Sequence, residues 1–386
     1  MKTVSILGAT GSVGASTLDI IGQATDAFEV VAVTAQTNAA KLAAVARQHR
    51  AKLAVIGDAA HYAELRDLLS GTGIDVAAGP AALVAAAEQP ADCVVAAITG
   101  AAGLAPTLAA ARQGRRLALA NKECLVAAGD IFMATVNRSK TELVPVDSEH
   151  SGVFQLLSGA DAKAVERIVL TASGGPFREW RMDRLKTATP EEAVKHPKWS
   201  MGPKISVDSA TLMNKGLELI EAYHLFPVTA GQIAVVVHPQ SVVHSFVAFQ
   251  DGSVMAQMSC PDMRIPISVG LAWPARMRFP AERLDLVRLH ALTFEAPDLE
   301  RFPALEIARG ALERGGTAPA ILNAANEVAV ESFLARRLGF LDIARTVATC
   351  LDRAEQAGLI QTPQSLDDVL AADAAGRRLA RDVIAG

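Results

Sequence analysis

Asp147 and Glu149 stand two residues apart in Pro145-Val146-Asp147-Ser148-Glu149-His150, a run that reads as the end of a β-strand. Side chains of an extended chain alternate with a period of two, so both carboxylates are expected on one side. Like charges held together repel, and the pair gains nothing unless a cation or a positive substrate group lies between them. The chemistry such a pair asks for is the binding of a hard divalent metal.

A third acid lies in Asp208-Ser209-Ala210-Thr211-Leu212-Met213-Asn214-Lys215-Gly216-Leu217-Glu218. Asp208 or Ser209 reads as the N-cap of a helix. Asn214 and Lys215 precede Glu218 by four and three residues, so the three share a helix face. Ser209, Asn214 and Lys215 could hold a phosphate near the helix start while Glu218 joins the metal. A solvated face with one ion pair is the other reading of the same spacing. Gly216 costs the helix about 1 kcal/mol relative to Ala, which points to a close approach by another group. Upstream, Ser173-Gly174-Gly175-Pro176-Phe177 follows a strand and either offers a hydroxyl and N–H groups to an oxyanion or is an ordinary turn. Lys195-His196-Pro197-Lys198-Trp199-Ser200-Met201-Gly202-Pro203-Lys204 joins positive charge and apolar bulk to residues that break regular structure. It reads as a lid over an anionic substrate, or as a surface loop whose Trp packs on a neighbour.

The elements that must carry these residues begin with Val4-Ser5-Ile6-Leu7 and the glycines 8, 11 and 14. A strand, a glycine turn and an amphipathic helix expose a helix N-terminus to a pyrophosphate. Strand-like runs recur near 29–34, 53–57, 92–98, 116–120 and 142–147 with helical segments between them, the pattern of a doubly wound parallel sheet. Residues 30–50 contain no acid and offer Gln36, Thr37, Asn38, Lys41 and Arg47, which favours NADP over NAD. Ligands of such sheets lie outside the carboxyl ends of the strands, where Asn121-Lys122-Glu123 and Asp147-Ser148-Glu149 are both expected. Lys122 can serve the metal site and a substrate oxygen, although a lone lysine at a helix start is commonly solvated. Ile233–Val237, Val242–Phe249 and Gly252–Met258 read as successive antiparallel strands, with His238 and His244 as structural histidines. A Pro- and Arg-rich linker spans 273–298, and helices run from Phe302 to the end with breaks at Gly315-Gly316, Gly339 and Gly358.

Bulk properties bound the function. The 386 residues carry 51% hydrophobic and 20% charged side chains and a formal charge of −4, which gives no field for nucleic acid or anionic lipid. Cys93, Cys124, Cys260 and Cys350 form no C-x-x-C pair, as expected in a reducing compartment. The uncharged run 93–111 contains Gly100, Gly103 and Pro106 and fits a strand, turn and helix better than a membrane span. No secretory leader is read at the start, and the protein is expected to be soluble and cytoplasmic.

The strings GATGSVG, LANKE, PVDSEHSG, SGGPF, HPKWSMG, DSATLMNKGLE and HPQSVVH occur in this order between residues 8 and 244. Through them the chain resembles the 1-deoxy-D-xylulose 5-phosphate reductoisomerases of non-mevalonate isoprenoid precursor biosynthesis. DSATLMNKGLE and PVDSEHSG are highly specific to that family; GATGSVG is not. The resemblance spans nearly the whole chain. It implies an N-terminal Rossmann-like NADPH-binding domain (1–150), a central α/β catalytic domain with a dimerising sheet (151–272) and a lid (193–203), the linker, and a C-terminal helical bundle (299–386). It implies Mg2+ or Mn2+ on Asp147, Glu149 and Glu218, with Lys122 completing the catalytic group. Lys122, Ser148, Glu149, Ser173, His196, Ser209, Asn214, Lys215 and Glu218 would contact substrate, the phosphate falling mainly to Ser173, Ser209, Asn214 and Lys215. Thr10, Gly11, Ser12, Val13, Asn38, Asn121, Glu123 and Gly202 would line the NADPH site, and Trp199 would close over the substrate.

The implied enzyme is a homodimer that rearranges a phosphorylated ketose, by retro-aldol and aldol steps or by migration, and reduces the product to 2-C-methyl-D-erythritol 4-phosphate. One departure stands out: family members often carry glycine and a basic residue where this chain has Gln36-Thr37, so a relaxed preference for NADPH over NADH is an open alternative. Two rivals are a metal-dependent NADP dehydrogenase acting on a hydroxy acid, and an NADP-binding sensor, which has no use for three carboxylates and a lysine around one point.

Overall fold

The computed structural model describes residues 1–199 and 201–386, so Ser200, inside the expected lid, lies outside the described residues. The chain forms two compact units. The first comprises Met1–Cys124, Phe132–Ser151 and Asp262–Ala281; the second comprises Leu125–Ile131, Gly152–Pro261 and Glu282–Gly386.

In the first unit, β1 (Lys2–Leu7), β2 (Phe28–Ala35), β3 (Leu53–Ile56), β4 (Asp75–Ala78), β5 (Cys93–Ala96), β6 (Arg116–Leu119) and β7 (Glu142–Pro145) form one sheet. The order is β4-β3-β2-β1-β5-β6-β7 and every pairing is parallel. Strands buried on both faces must be apolar throughout, and Val4, Ile6, Leu7, Val95 and Leu119 are fully buried. β4 escaped the sequence reading because it is a partly exposed edge strand that opens on Asp75. The winding reverses between β1 and β5, which sets the ligand crevice beyond their carboxyl ends. The uncharged run 93–111 resolves into β5 and the helix Leu104–Ala111. Among the described residues no helix is long and apolar enough to cross a membrane.

Two glycines make the first turn possible. Gly8 has φ +88°, and a Cβ there would stand 2.5 Å from the carbonyl oxygen of Ala97. A Cβ on Gly14 would stand 2.3 Å from the oxygen of Gly8. The helix Ser12–Gly22 therefore starts hard against the turn, with Gly11 as its N-cap.

The geometry expected for Asp147 and Glu149 is corrected. β7 stops at Pro145, and Ser148–Leu157 is a helix, so no extended alternation aligns the two acids. The Asp147 carbonyl accepts the N–H of Ser151 at 2.8 Å, and its carboxylate faces the N–H of Glu149 at 3.4 Å. Asp147 thus behaves as a helix cap, and capping orphan N–H groups outweighs continuing the strand.

In the second unit, β8 (Val165–Ala172), β9 (Ile233–Val237), β10 (Val243–Phe249) and β11 (Val254–Met258) are ordered β11-β10-β8-β9. The expected run of successive antiparallel strands holds only for β10 and β11; β9 pairs with β8, and in parallel. The reason lies in residues 238–242, which cross the end of β8 instead of turning back: the N–H of His238 donates to Ala172 O at 2.6 Å. The outer edge of β9 meets Glu295 through an isolated antiparallel bridge at Val237.

The expected C-terminal bundle is present as Ala304–Arg314, Ala318–Leu334, Phe340–Gln356 and Leu366–Ala385. The expected cap at Asp208 or Ser209 is not. Pro203–Thr211 is one helix, Met213–Leu225 the next, and Leu212 between them has φ +63°. Proline suits the first helical position because its missing N–H has no partner to lose there. That moves the start of the helix to Pro203 and leaves Asp208 and Ser209 near its end.

Gly216 meets the close neighbour that the sequence implied. A Cβ there would lie 2.5 Å from Ala308 Cβ and 3.3 Å from Ala304 O, on the helix Ala304–Arg314. Replacing Gly216 with Ala gains about 1 kcal/mol of helix propensity but overpacks a rigid contact, at a cost of roughly 1–3 kcal/mol. We expect Gly216→Ala to lower the thermal midpoint; a raised midpoint would show that propensity outweighs packing here.

Candidate active site

The crevice side of the first unit carries a linked set of loops. Thr10, Gly11, Ser12 and Val13 form the glycine turn and the start of the helix behind it. Asn38 caps the helix Ala39–Gln48 by accepting the N–H of Lys41 at 2.9 Å. Lys41 Nζ returns to the turn and donates to Thr10 O at 2.6 Å. Beyond β6, Asn121 is 2% exposed. Its amide donates to Ile98 O and to Gly100 O, the latter at 3.1 Å, and its Oδ1 accepts the N–H of Cys124 at 2.9 Å. Asn121 therefore ties the loop after β5 to the helix Glu123–Ser139, and Glu123, at the start of that helix, is buried.

Lys122 is not the solvated lysine of the alternative reading. Its residue exposure is 9%, and its Nζ lies 2.8 Å from Asp147 Oδ2. Ser148 Oγ donates to Glu149 Oε2 at 2.6 Å. Oxygens of Asp147 and Glu149 come within 4.8 Å of each other, and His150 Nδ1 is 3.6 Å from Asp147 Oδ1. Helix capping thus achieves what strand alternation does not: Lys122, Asp147, Ser148 and Glu149 meet at one strand-to-helix corner.

The second unit carries two further groups. In the first, Ser173 Oγ lies 2.7 Å from His196 Nε2 and 3.5 Å from Ser209 Oγ, and accepts the N–H of Gly175 at 3.1 Å. Gly174 and Gly175 have φ of +82° and +69°. A Cβ on Gly175 would stand 2.7 Å from Ser209 O, so only glycine lets this turn lie against the helix Pro203–Thr211. His196 Nδ1 faces the N–H groups of Lys198 at 3.2 Å and Trp199 at 2.9 Å. Backbone N–H groups can only donate, so Nδ1 is the acceptor and the proton sits on Nε2, pointing at Ser173. Burial holds the imidazole neutral, with its pKa lowered to about 4. Trp199 packs edge-on to His244 at 6.1 Å, and His244 Nε2 is fixed by Ser259 Oγ at 2.9 Å.

In the second group, Glu218 is 1% exposed, and its carboxylate is gripped by Lys215 Nζ and Asn214 Nδ2. The helix face read from spacing is present, with Lys215 and Glu218 buried and Asn214 half-buried instead of solvated. Gly202 is the extended residue that opens the helix Pro203–Thr211.

Asn326 was missed. Its Nδ2 donates to Asp208 Oδ1 at 2.8 Å, and Lys204 Nζ lies 2.9 Å from Asp208 Oδ2, so a carboxylate next to Ser209 is pinned from two sides. The signal was present in Asn323-Ala324-Ala325-Asn326-Glu327, amides too polar for an ordinary helix, but nothing in the spacing names their partner.

A doubly wound parallel sheet with a glycine turn at its first strand, and a lysine and two acids at its carboxyl edge, is the architecture of a Rossmann-type dinucleotide-binding protein. Family models for 1-deoxy-D-xylulose 5-phosphate reductoisomerase match residues 4–129, its C-terminal domain 143–226, and the DXP reductoisomerase C-terminal domain 258–379. The chain belongs to the family of 1-deoxy-D-xylulose 5-phosphate reductoisomerases. It is 56% identical over 385 residues to that enzyme of Rhodospirillum centenum, covering 100% of this chain and 95% of the relative. It is 53% identical over 372 residues to that of Zymomonas mobilis, covering 96% and 95%. A solved Zymomonas mobilis reductoisomerase in complex with NADPH superposes with TM-score 0.93 at 50% identity over 99% of both chains. A DOX-P reductoisomerase in complex with NADPH, fosmidomycin and magnesium superposes with TM-score 0.95 at 42% identity over 100% of this chain and 98% of that one.

The lowered pKa of His196 has a measurable consequence. An unfolded histidine takes its proton near 6.5 and the folded one near 4, so between those values the unfolded chain binds more protons. The contribution of His196 to stability is whole above 6.5 and is lost as pH falls toward 4. We expect its nitrogen NMR shifts to report a neutral Nε2–H tautomer at pH 6; a midpoint at or above 6.5 would overturn the assignment.

Proposed function

We infer that the chain converts 1-deoxy-D-xylulose 5-phosphate to 2-C-methyl-D-erythritol 4-phosphate, using NADPH and a divalent metal, in isoprenoid precursor biosynthesis. Membership of the reductoisomerase family over the length of the chain carries this reading. The residues fit both implied groups. The glycine turn leaves no room for a Cβ at Gly8 or Gly14 and presents a helix N-terminus, which suits a pyrophosphate. Asp147, Glu149 and Glu218 offer only carboxylate oxygens, the donors preferred by Mg2+ or Mn2+. When bound, the metal supplies Lewis acidity to the ketose oxygens and NADPH supplies the hydride.

The protein's own groups do the rest. We assign the metal to Asp147, Glu149 and Glu218, and the phosphate to Ser173, Ser209, Asn214 and Lys215. Neutral His196 directs Nε2–H toward Ser173, which leaves the serine hydroxyl proton available to an anion. Lys122, Ser148, Glu149 and Glu218 hold the reacting end, where the Lys122 ammonium offsets charge developing on oxygen. Thr10, Gly11, Ser12, Val13, Asn38, Asn121, Glu123 and Gly202 are assigned to NADPH. Segment 193–203, with Trp199, closes over the substrate and excludes water. By role we assign 1–150 to NADPH, 151–272 to metal and substrate, 273–298 as linker and 299–386 as helical domain, although Asp262–Ala281 folds as part of the first compact unit.

We also infer a cytoplasmic homodimer that associates through the four-stranded sheet. β11 is an edge strand, and Val254 and Met255 on it are 61% and 50% exposed; Phe294, 45% exposed, lines the same sheet face as Val254. An exposed apolar edge strand left uncovered invites pairing with other chains. The four cysteines carry no disulfide, which fits a reducing compartment.

Following NADPH absorbance with Mn2+ and substrate tests the reaction. Asp147→Asn, Glu149→Gln and Glu218→Gln should each lower kcat more than about 100-fold and weaken Mn2+ binding read by electron paramagnetic resonance, while NADPH affinity stays intact. Wild-type metal affinity in any of them would remove that residue from the ligand set. Lys215→Ala should chiefly raise KM; a pure kcat effect would count against its phosphate role. Met255→Asp should shift the protein toward monomer in sedimentation, and an undisturbed dimer would place the interface elsewhere.

A further inference from the structure

Between residues 30 and 46 the only charged side chain is Lys41. In a doubly wound sheet the adenosine ribose lies beyond the second strand, where an acid selects the free 2′-hydroxyl and a cation selects a 2′-phosphate. β2 ends at Ala35, and Gln36, Thr37 and Asn38 are exposed and uncharged. Gln36 is turned aside: a Cβ on Gly57 would stand 2.4 Å from its Oε1, so its carboxamide lies over the end of β3. Arg47 is at the far end of the helix Ala39–Gln48, about 12 Å from its start at 1.5 Å per residue, and its Nη1 donates to Leu68 O at 2.9 Å.

Lys41 is placed differently. It occupies the first turn of the helix, where Asn38 Oδ1 accepts its N–H, and its exposed side chain reaches the glycine turn to donate to Thr10 O at 2.6 Å. An ammonium group has three donors, and the Thr10 carbonyl takes one. The nearby acid at the end of β3, Asp58, is engaged by the N–H of Ala60 at 2.9 Å and lies 3.9 Å from His61 Nε2.

We propose that Lys41 recognises the 2′-phosphate of NADPH, held ready by the Thr10 carbonyl, and supplies the cation that residues 36 and 37 lack. This rests on the NADPH reading above and names the residue behind the preference. It makes the chain selective for NADPH in spite of Gln36-Thr37.

The test uses the full-length protein and equilibrium binding instead of turnover. Affinities for NADPH and NADH are read from nicotinamide fluorescence, and adenosine 2′,5′-bisphosphate and AMP serve as competitors. Lys41→Met should weaken NADPH and the bisphosphate about tenfold or more, or about 1.4 kcal/mol, and leave NADH and AMP unchanged. Lys41→Arg should retain most of the preference. Equal weakening of NADPH and NADH would assign Lys41 a purely structural role at Thr10 and overturn the proposal, as would an unaltered NADPH affinity. Equal affinity of the unmodified protein for NADPH and NADH would overturn the selectivity reading itself, and the proposal with it.

Discussion

A carboxylate taken out of water must be given positive charge or hydrogen-bond donors, and the polar groups around three acids of this protein answer that demand. Glu218 is gripped by Lys215 and Asn214, Asp147 by Lys122, and Asp208 by Lys204 and Asn326. Removing one partner of a buried pair leaves an uncompensated charge, at a general cost of about 3–5 kcal/mol. Each acid therefore dictates the identity of its neighbours. Two of these acids, Asp147 and Glu218, belong to the ligand set we propose for a hard divalent ion, so in that proposal groups that burden folding also serve the chemistry.

Backbone approach is the second constraint, and it acts through glycine. Gly8 and Gly14 bring the first helix against its turn, Gly175 brings the Ser173 turn against the helix holding Ser209, and Gly216 brings two helices together in the second unit. At each of these a Cβ would fall within 3 Å of a backbone atom or a rigid methyl group. The polar groups beside them, Thr10, Ser173, Ser209 and Lys215, therefore stand on elements set by main-chain and methyl contacts and not by long adaptable side chains.

How far the sequence could be read depended on the kind of force involved. Seven strings of residues identified the family, and the apolar runs of β1, β2, β5 and β6 gave the parallel sheet, because strands buried on both faces leave a local hydrophobic signal. β4 was invisible because an edge strand needs no such run. The face shared by Asn214, Lys215 and Glu218 followed from helical period alone. Its burial did not, since period says which side chains are neighbours and not what covers them.

The amino-acid order determined the residue types, the helical and extended periods, and the glycine turn, all of which are local consequences of sterics and hydrophobic spacing. The three-dimensional fold alone decided three things: that Asp147 caps a helix instead of ending a strand, that Asp208 sits at a helix end pinned by Asn326 from 118 positions away, and that β9 runs parallel to β8. The second and third turn on a partner distant in sequence, and a hydrogen bond to a remote group has no periodicity by which it can be read beforehand. The first turns on N–H groups of a helix start only two and four residues on, which the alternation of the preceding strand does not announce.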